Sequence, residues 1–78
     1  MEREPVKSTT VGSVGYEGES KTLEIEFQSG AVYQYFDVPE TVHKGLLSAE
    51  SKGQYFNNEI RDEYTFERLG RGRRAAKG

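Results

Sequence analysis

Between Thr22 and Gln28 the chain alternates strictly: Leu23, Ile25 and Phe27 are apolar, while Glu24, Glu26 and Gln28 are polar. A period of two marks a strand with one dry face and one wet face. Ser29-Gly30 leads into Ala31 to Asp37, a run rich in β-forming side chains, so the two segments read as an antiparallel hairpin. Upstream, Val14 and Tyr16 share a face within Val11 to Tyr16, which predicts another strand. Gly12 and Gly15 inside it point to a bulge or a close backbone approach.

Two registers are open to the hairpin. A three-residue loop of Gln28, Ser29 and Gly30 puts the glycine in the left-handed position that such loops require, and sets Ile25 opposite Tyr33 and Leu23 opposite Tyr35. A two-residue Ser29-Gly30 loop would instead put Phe27 opposite Val32 and leave the tyrosines beside Glu24 and Glu26. Ser-Gly suits the tight primed turns poorly, because type I′ prefers Asn or Asp before Gly and type II′ wants Gly first. The first register is favoured.

After the hairpin the apolar period lengthens. Asp37-Val38-Pro39-Glu40 has the composition of a helix start, with Asp37 as the expected cap and Pro39 tolerated in the first turn. Val42, Leu46 and Ala49 form the expected buried stripe and turn His43 and Lys44 outward. Gly45, a poor helix former, predicts tight packing against a neighbouring element. Ser51 and Gln54 repeat the capping spacing and predict a second helix from Lys52 to about Asp62, with Phe56, Ile60 and Tyr64 on its inner side. Thr65 to Leu69 has room for a short final strand. The expected architecture is therefore α+β: a three-stranded antiparallel meander with two helices packed on one face and an optional short fourth strand near Phe66. Leu23, Ile25, Phe27, Val42, Leu46, Phe56 and Ile60 are the expected core.

Composition narrows the class. Seventy-eight residues suffice for one modest core, and nine Tyr and Phe residues supply more large apolar surface than a disordered chain carries. The division expected is a disordered 1–5, a folded 6–69 and a flexible basic tail over 70–78. No Cys and a single His leave no disulfide framework, no thiolate nucleophile and no multi-histidine metal site, so neither cofactor nor metal is expected. With no long apolar run and no leader-like start in MEREPVKSTT, the expected setting is the cytoplasm, without a membrane partner. The net charge of −2 hides an asymmetry: five of the 11 basic residues (Arg68, Arg71, Arg73, Arg74 and Lys77) lie beyond residue 67, where there is no acid. The remaining six face all 13 acids, so the body is strongly acidic and the tail basic.

The motifs in order are Gly15-Tyr16, Leu23-x-Ile25-x-Phe27-x-x-Gly30, Tyr33-x-Tyr35-x-x-Val38-Pro39 and Ser51-x-Gly53-x-Tyr55-Phe56-Asn57-x-x-Ile60-Arg61-x-x-Tyr64. Together they resemble the KTSC domain, named for its occurrence at the C-terminus of some lysyl-tRNA synthetases and also found free-standing. The resemblance spans roughly Ser8 to Leu69 and implies a small domain with RNA as a suggested ligand. The basic tail lies outside the family pattern.

The candidate chemistry is binding rather than catalysis. Glu24 and Glu26 sit two apart on the expected wet face, where water keeps carboxylates ordinary, and His43 has no sequence-near partner to make it a base. Tyr33 and Tyr35 are placed either in the core, with hydroxyls at the rim, or on an open face as a stacking platform for single-stranded bases; the favoured register supports the core. Asn57 and Arg61, four apart on one helix face, have the reach for a phosphate or base edge, and Arg68, Arg71, Arg73, Arg74 and Lys77 for phosphates. The expectation is a small non-enzymatic binding module, with RNA in a translation setting as the leading partner. A protein partner at an exposed strand edge or helix face is the alternative.

Overall fold

The structure, a computed structural model, describes residues 2–71. Strands β1 (Glu4–Pro5), β2 (Val11–Glu17), β3 (Thr22–Phe27) and β4 (Ala31–Tyr35) are followed by helices α1 (Glu40–Ser48) and α2 (Lys52–Glu59) and by strand β5 (Phe66–Arg71). The five strands form one antiparallel sheet in the order β1-β2-β3-β4-β5. The fold is α+β as expected, and the three-stranded meander is present as β2, β3 and β4. The sheet nevertheless has five strands instead of three with an optional fourth. The helix pair is the excursion that returns the chain to the free side of β4.

Both additional strands lie at the edges, where an alternating pattern is not required. β1 is two residues long and includes Pro5, a residue that sheets accept at their margins. Residues 1–5 were expected to fray, yet Glu4 and Pro5 pair with Val14 and Ser13. The Val6 amide also donates to the Gly12 carbonyl at 3.1 Å. β5 continues through Gly70 and Arg71, opposite Val32 and Ala31, so these two residues belong to the sheet and not to the tail assigned to 70–78. Residues 72–78 lie outside the described residues.

The favoured hairpin register is the one observed: Ile25 faces Tyr33 and Leu23 faces Tyr35. Gly30 stands at φ 96°, in the left-handed region where a side chain is strained, and its amide donates to the Phe27 carbonyl at 2.8 Å. In β2 the pairing shifts between Val11 and Ser13, which makes the bulge at Gly12. Gly15 lies against the Glu2 carbonyl so closely that a Cβ would overlap it.

Helix α1 starts differently from expectation. Asp37 adopts φ 59° and is no cap; Pro39 occupies the N-cap position, where no side chain closes the helix. The chain needs a sharp turn out of β4, and Asp is one of the few residues that tolerates the left-handed conformation there. The turn is secured by the Val38 amide, which donates to the Lys21 carbonyl at 2.9 Å. Helix α2 has the predicted cap, with Ser51 Oγ accepting from the Gln54 amide at 3.3 Å. It stops at Glu59, because Ile60 leaves helical geometry at φ −122°. A Cβ on Gly45 would overlap the Tyr55 hydroxyl, so the two helices touch through a missing side chain, as the glycine foretold.

The core unites Val11, Val14, Leu23, Ile25 and Tyr35 from the sheet with Val38, Leu46, Phe56 and Ile60. Phe27 and Val42 were expected within it but are half-buried and pack against its margin. The buried Val38 sits in the turn, where no periodicity marks it. Leu23 is completely covered, so Leu23→Ala should lower unfolding free energy by about 2–5 kcal/mol. Phe27→Ala should cost less than the full burial value for Phe, because part of the ring already meets water. Urea titration of both variants measures these losses; a Leu23→Ala midpoint equal to the parent's would contradict the assigned core.

Candidate nucleic-acid interface

Register determines what the aromatic residues can do. Tyr33, Tyr35, Phe66 and Arg68 project from neighbouring positions of β4 and β5, since Tyr35 pairs with Phe66 and Tyr33 with Arg68. Phe27 and Phe56 close the cluster from β3 and α2. Tyr33 and Tyr35 lie in a near-parallel pair with centroids 6.2 Å apart, and Phe27 meets Tyr33 edge-on at 5.7 Å. Phe66 leans over both tyrosines, 5.6 Å from Tyr33 and 5.5 Å from Tyr35. Such offset and edge-on arrangements suit the ring quadrupoles.

These rings line an open groove of about 440 Å³, with Arg61 and Asp62 at its α2 side and Ser29 and Ala31 at its loop end. Exposure divides the cluster into floor and platform. Tyr35 is 3% exposed and forms the floor, whereas Tyr33 is half-buried and Phe66 is 54% exposed. Both rings lie on the core side of the hairpin, as the favoured register requires, with Tyr35 inside the core and Tyr33 packed against it. Burial, followed by the neighbouring Tyr33, pushes the Tyr35 hydroxyl up to about 12, and the nearby Arg61 guanidinium partly offsets both. Its proton is therefore fixed at neutral pH, and the groove floor is uncharged.

Two cations border the rings. The Arg68 guanidinium lies over Tyr33, 5.8 Å from its centroid. Arg61 is exposed beside the floor. Neither is ion-paired with a described acid. Of the candidate residues, Tyr33, Tyr35, Arg61 and Arg68 therefore converge. Asn57 does not join them: it is exposed on α2 and does not line the groove, and Arg61 lies beyond the helix end, so the proposed shared helix face does not exist. Arg71 is at the far end of β5, opposite Ala31. Arg73, Arg74 and Lys77 lie outside the described residues. Phe66 was the principal omission; the short strand assigned to its segment was the available signal, and its pairing with β4 was not.

The opposite sheet face differs from the expected wet surface. Glu24 is 6% exposed and accepts hydrogen bonds from Arg3 Nη1 at 2.6 Å and Gln34 Nε2 at 2.8 Å. Glu26 accepts from Ser13 Oγ at 2.9 Å. The N-terminal segment places Arg3 over this pair, which is why alternation alone misjudged it. Among the described residues no group of three His, Asp or Glu could hold a metal, and no helix is long and apolar enough to cross a membrane.

His43 is also placed differently from expectation. It is half-buried and stacks on Tyr16, with centroids 4.8 Å apart and planes 12° from parallel, while the Tyr16 hydroxyl donates to the Val38 carbonyl at 2.6 Å. 

Residues 7–64 match the KTSC domain family, and the chain belongs to it. Its relatives include a lysine–tRNA ligase from Nostoc punctiforme, 44% identical over 63 residues, which are 81% of this chain and 11% of the ligase. The chain thus spans about a tenth of the length of that enzyme. An uncharacterized protein from Stutzerimonas stutzeri is 41% identical over 64 residues, covering 82% of this chain and 90% of its own. The crystal structure of a KTSC domain protein from Yersinia pestis superposes with a TM-score of 0.86 at 38% identity, covering 88% of this chain and 97% of that one.

The His43 stack has a consequence for stability. Burial lowers the His43 pKa below 6.5; Glu4 and Glu40 oppose that shift and Lys44 adds to it. The unfolded chain therefore takes up this proton at a higher pH than the fold does. The contribution of neutral His43 is full above about pH 6.5 and is lost progressively as pH falls toward the lower folded value. Thermal midpoints compared at about pH 7 and about pH 5.5 should fall further for the parent than for His43→Phe, which keeps a ring and cannot titrate. Equal falls would show that the stack is indifferent to protonation.

Proposed function

We propose that this chain is a small non-enzymatic binding module of the cytoplasm that takes single-stranded RNA, in a translation setting, on the groove between β4, β5 and α2. The observation that carries this reading is the meeting of the half-buried Tyr33 and the exposed Phe66 with the guanidinium groups of Arg61 and Arg68, neither of which is ion-paired with a described acid. Aromatic faces accept any base by stacking, and flanking cations hold the backbone that links bases. The acidic body argues against a broad polyanion footprint and for a local site; Arg71, Arg73, Arg74 and Lys77, which end β5 or follow it in the sequence, are further candidates for phosphates. Relatives that are lysine–tRNA ligases support an RNA context. A non-catalytic role is favoured because Glu24 and Glu26 are engaged by Arg3, Gln34 and Ser13 and do not face one another across a cleft. A protein partner on the β5 edge is the second reading, favoured by the exposure of both Phe66 at 54% and Leu69 at 49% on that strand.

Titration of a labelled single-stranded RNA oligomer at several salt concentrations tests the choice. Stacking on a protein ring is worth about 1–3 kcal/mol per base, so Phe66→Ala should weaken binding roughly 5- to 150-fold while the exposed position leaves the fold intact. A chain ending at Arg71 loses three cations, and its slope of log affinity against log salt should be shallower by about 2. RNA affinity unchanged by Phe66→Ala would remove the groove from consideration. Capture of a protein partner with little salt dependence, and no RNA binding, would favour the β5 edge.

A further inference from the structure

Tyr33 is the half-buried ring at the centre of the groove, with Phe27, Tyr35 and Phe66 around it and the Arg68 guanidinium over it. Arg68 lies directly across from Tyr33 in the β4–β5 register, so the contact follows from the pairing of the strands and needs no special side-chain reach. A planar guanidinium over an aromatic ring uses the same π-face that a nucleobase uses. Arg68 has no described acid to hold it elsewhere, and it is exposed.

We propose that Arg68 occupies the base-stacking place of the free protein and that binding is an exchange: a base stacks on Tyr33 while the guanidinium leaves the ring and pairs with an adjacent phosphate. This inference rests on the groove being a nucleic-acid site and adds the order of events within it. One residue then has two opposite effects. It competes with a base that carries no phosphate, and it assists a base that is linked to one. It also covers part of the half-buried Tyr33 ring while no ligand is present. The site therefore selects nucleotides within a strand over free bases and nucleosides, through charge-assisted pairing that repays the lost cation–π contact.

Adenosine, which has a base and no phosphate, and a labelled single-stranded RNA oligomer are the two probes. Adenosine binding is followed by NMR shifts of the groove residues, and oligomer binding by fluorescence at several salt concentrations. Arg68→Ala should bind adenosine roughly two- to fivefold more tightly than the parent, the range set by an exposed cation–π contact. The same variant should bind the oligomer more weakly at low salt, with a slope shallower by about 0.7. Arg68→Lys should restore the slope, because the charge that meets the phosphate is retained. Weakening of both ligands by Arg68→Ala would overturn the exchange, since the guanidinium would then cover the bound base. Unchanged adenosine affinity, or oligomer binding with no adenosine binding, would overturn it too, because nothing would then be displaced from Tyr33. Failure of the parent to bind either probe would overturn the RNA reading itself, a result distinct from the others.

Discussion

Gly30 at φ 96° sets the parity of the hairpin between β3 and β4, and the rest of the molecule depends on that parity. Side chains alternate across a strand, so a slip of one residue would exchange the two faces of β4. Tyr33 and Tyr35 would then lie beside Glu24 and Glu26, and Val32 and Gln34 would face the helices. The core would lose Tyr35 and the groove would lose its floor. In the observed register both tyrosines face α2, and β5 adds Phe66 and Arg68 in line with them. A loop of three residues thus determines both the packing of the core and the chemistry of the groove.

The two edges of the sheet are finished in different ways. At one margin, β1 is only two residues long and carries Pro5, which has no backbone donor to offer a further strand. At the other, β5 runs for six residues and exposes Phe66 and Leu69. Its pairing shifts opposite Val32 and Tyr33, an irregularity that bends a strand and discourages a further strand from docking. Exposed rings combined with an irregular edge favour a ligand that uses side chains over one that extends the sheet.

The groove also has an economy of placement. Its floor, Tyr35 and Phe56, belongs equally to the core, where their edge-on contact at 5.5 Å helps join β4 to α2. Above it, Tyr33 is half-buried against the core and Phe66 is exposed. Rigid support beneath exposed aromatic groups lowers the ordering cost of binding, because the rings are already oriented before a partner arrives. The charges are local too: the body is acidic, and beside the rings Arg61 and Asp62 line the groove while Arg68 lies over Tyr33.

Local physics made much of this legible in the sequence. Alternation identified β3, the loop chemistry of Gly30 selected the hairpin register, Ser51 marked the start of α2, and Gly45 announced the close contact with Tyr55. The family resemblance rested on the same residues. Tertiary structure decided what no local pattern contains. Arg3 and Glu24 are 21 positions apart, and their contact covers a carboxylate on a face expected to be wet. His43 went inward because Tyr16, from strand β2, offered the helix residue a ring to stack upon. Tyr33 and Phe66 come together only because two intervening helices return the chain to β4. Periodicity reports which side of an element is apolar; it carries no information about which distant element will cover that side, and the groove is built from such distant pairs.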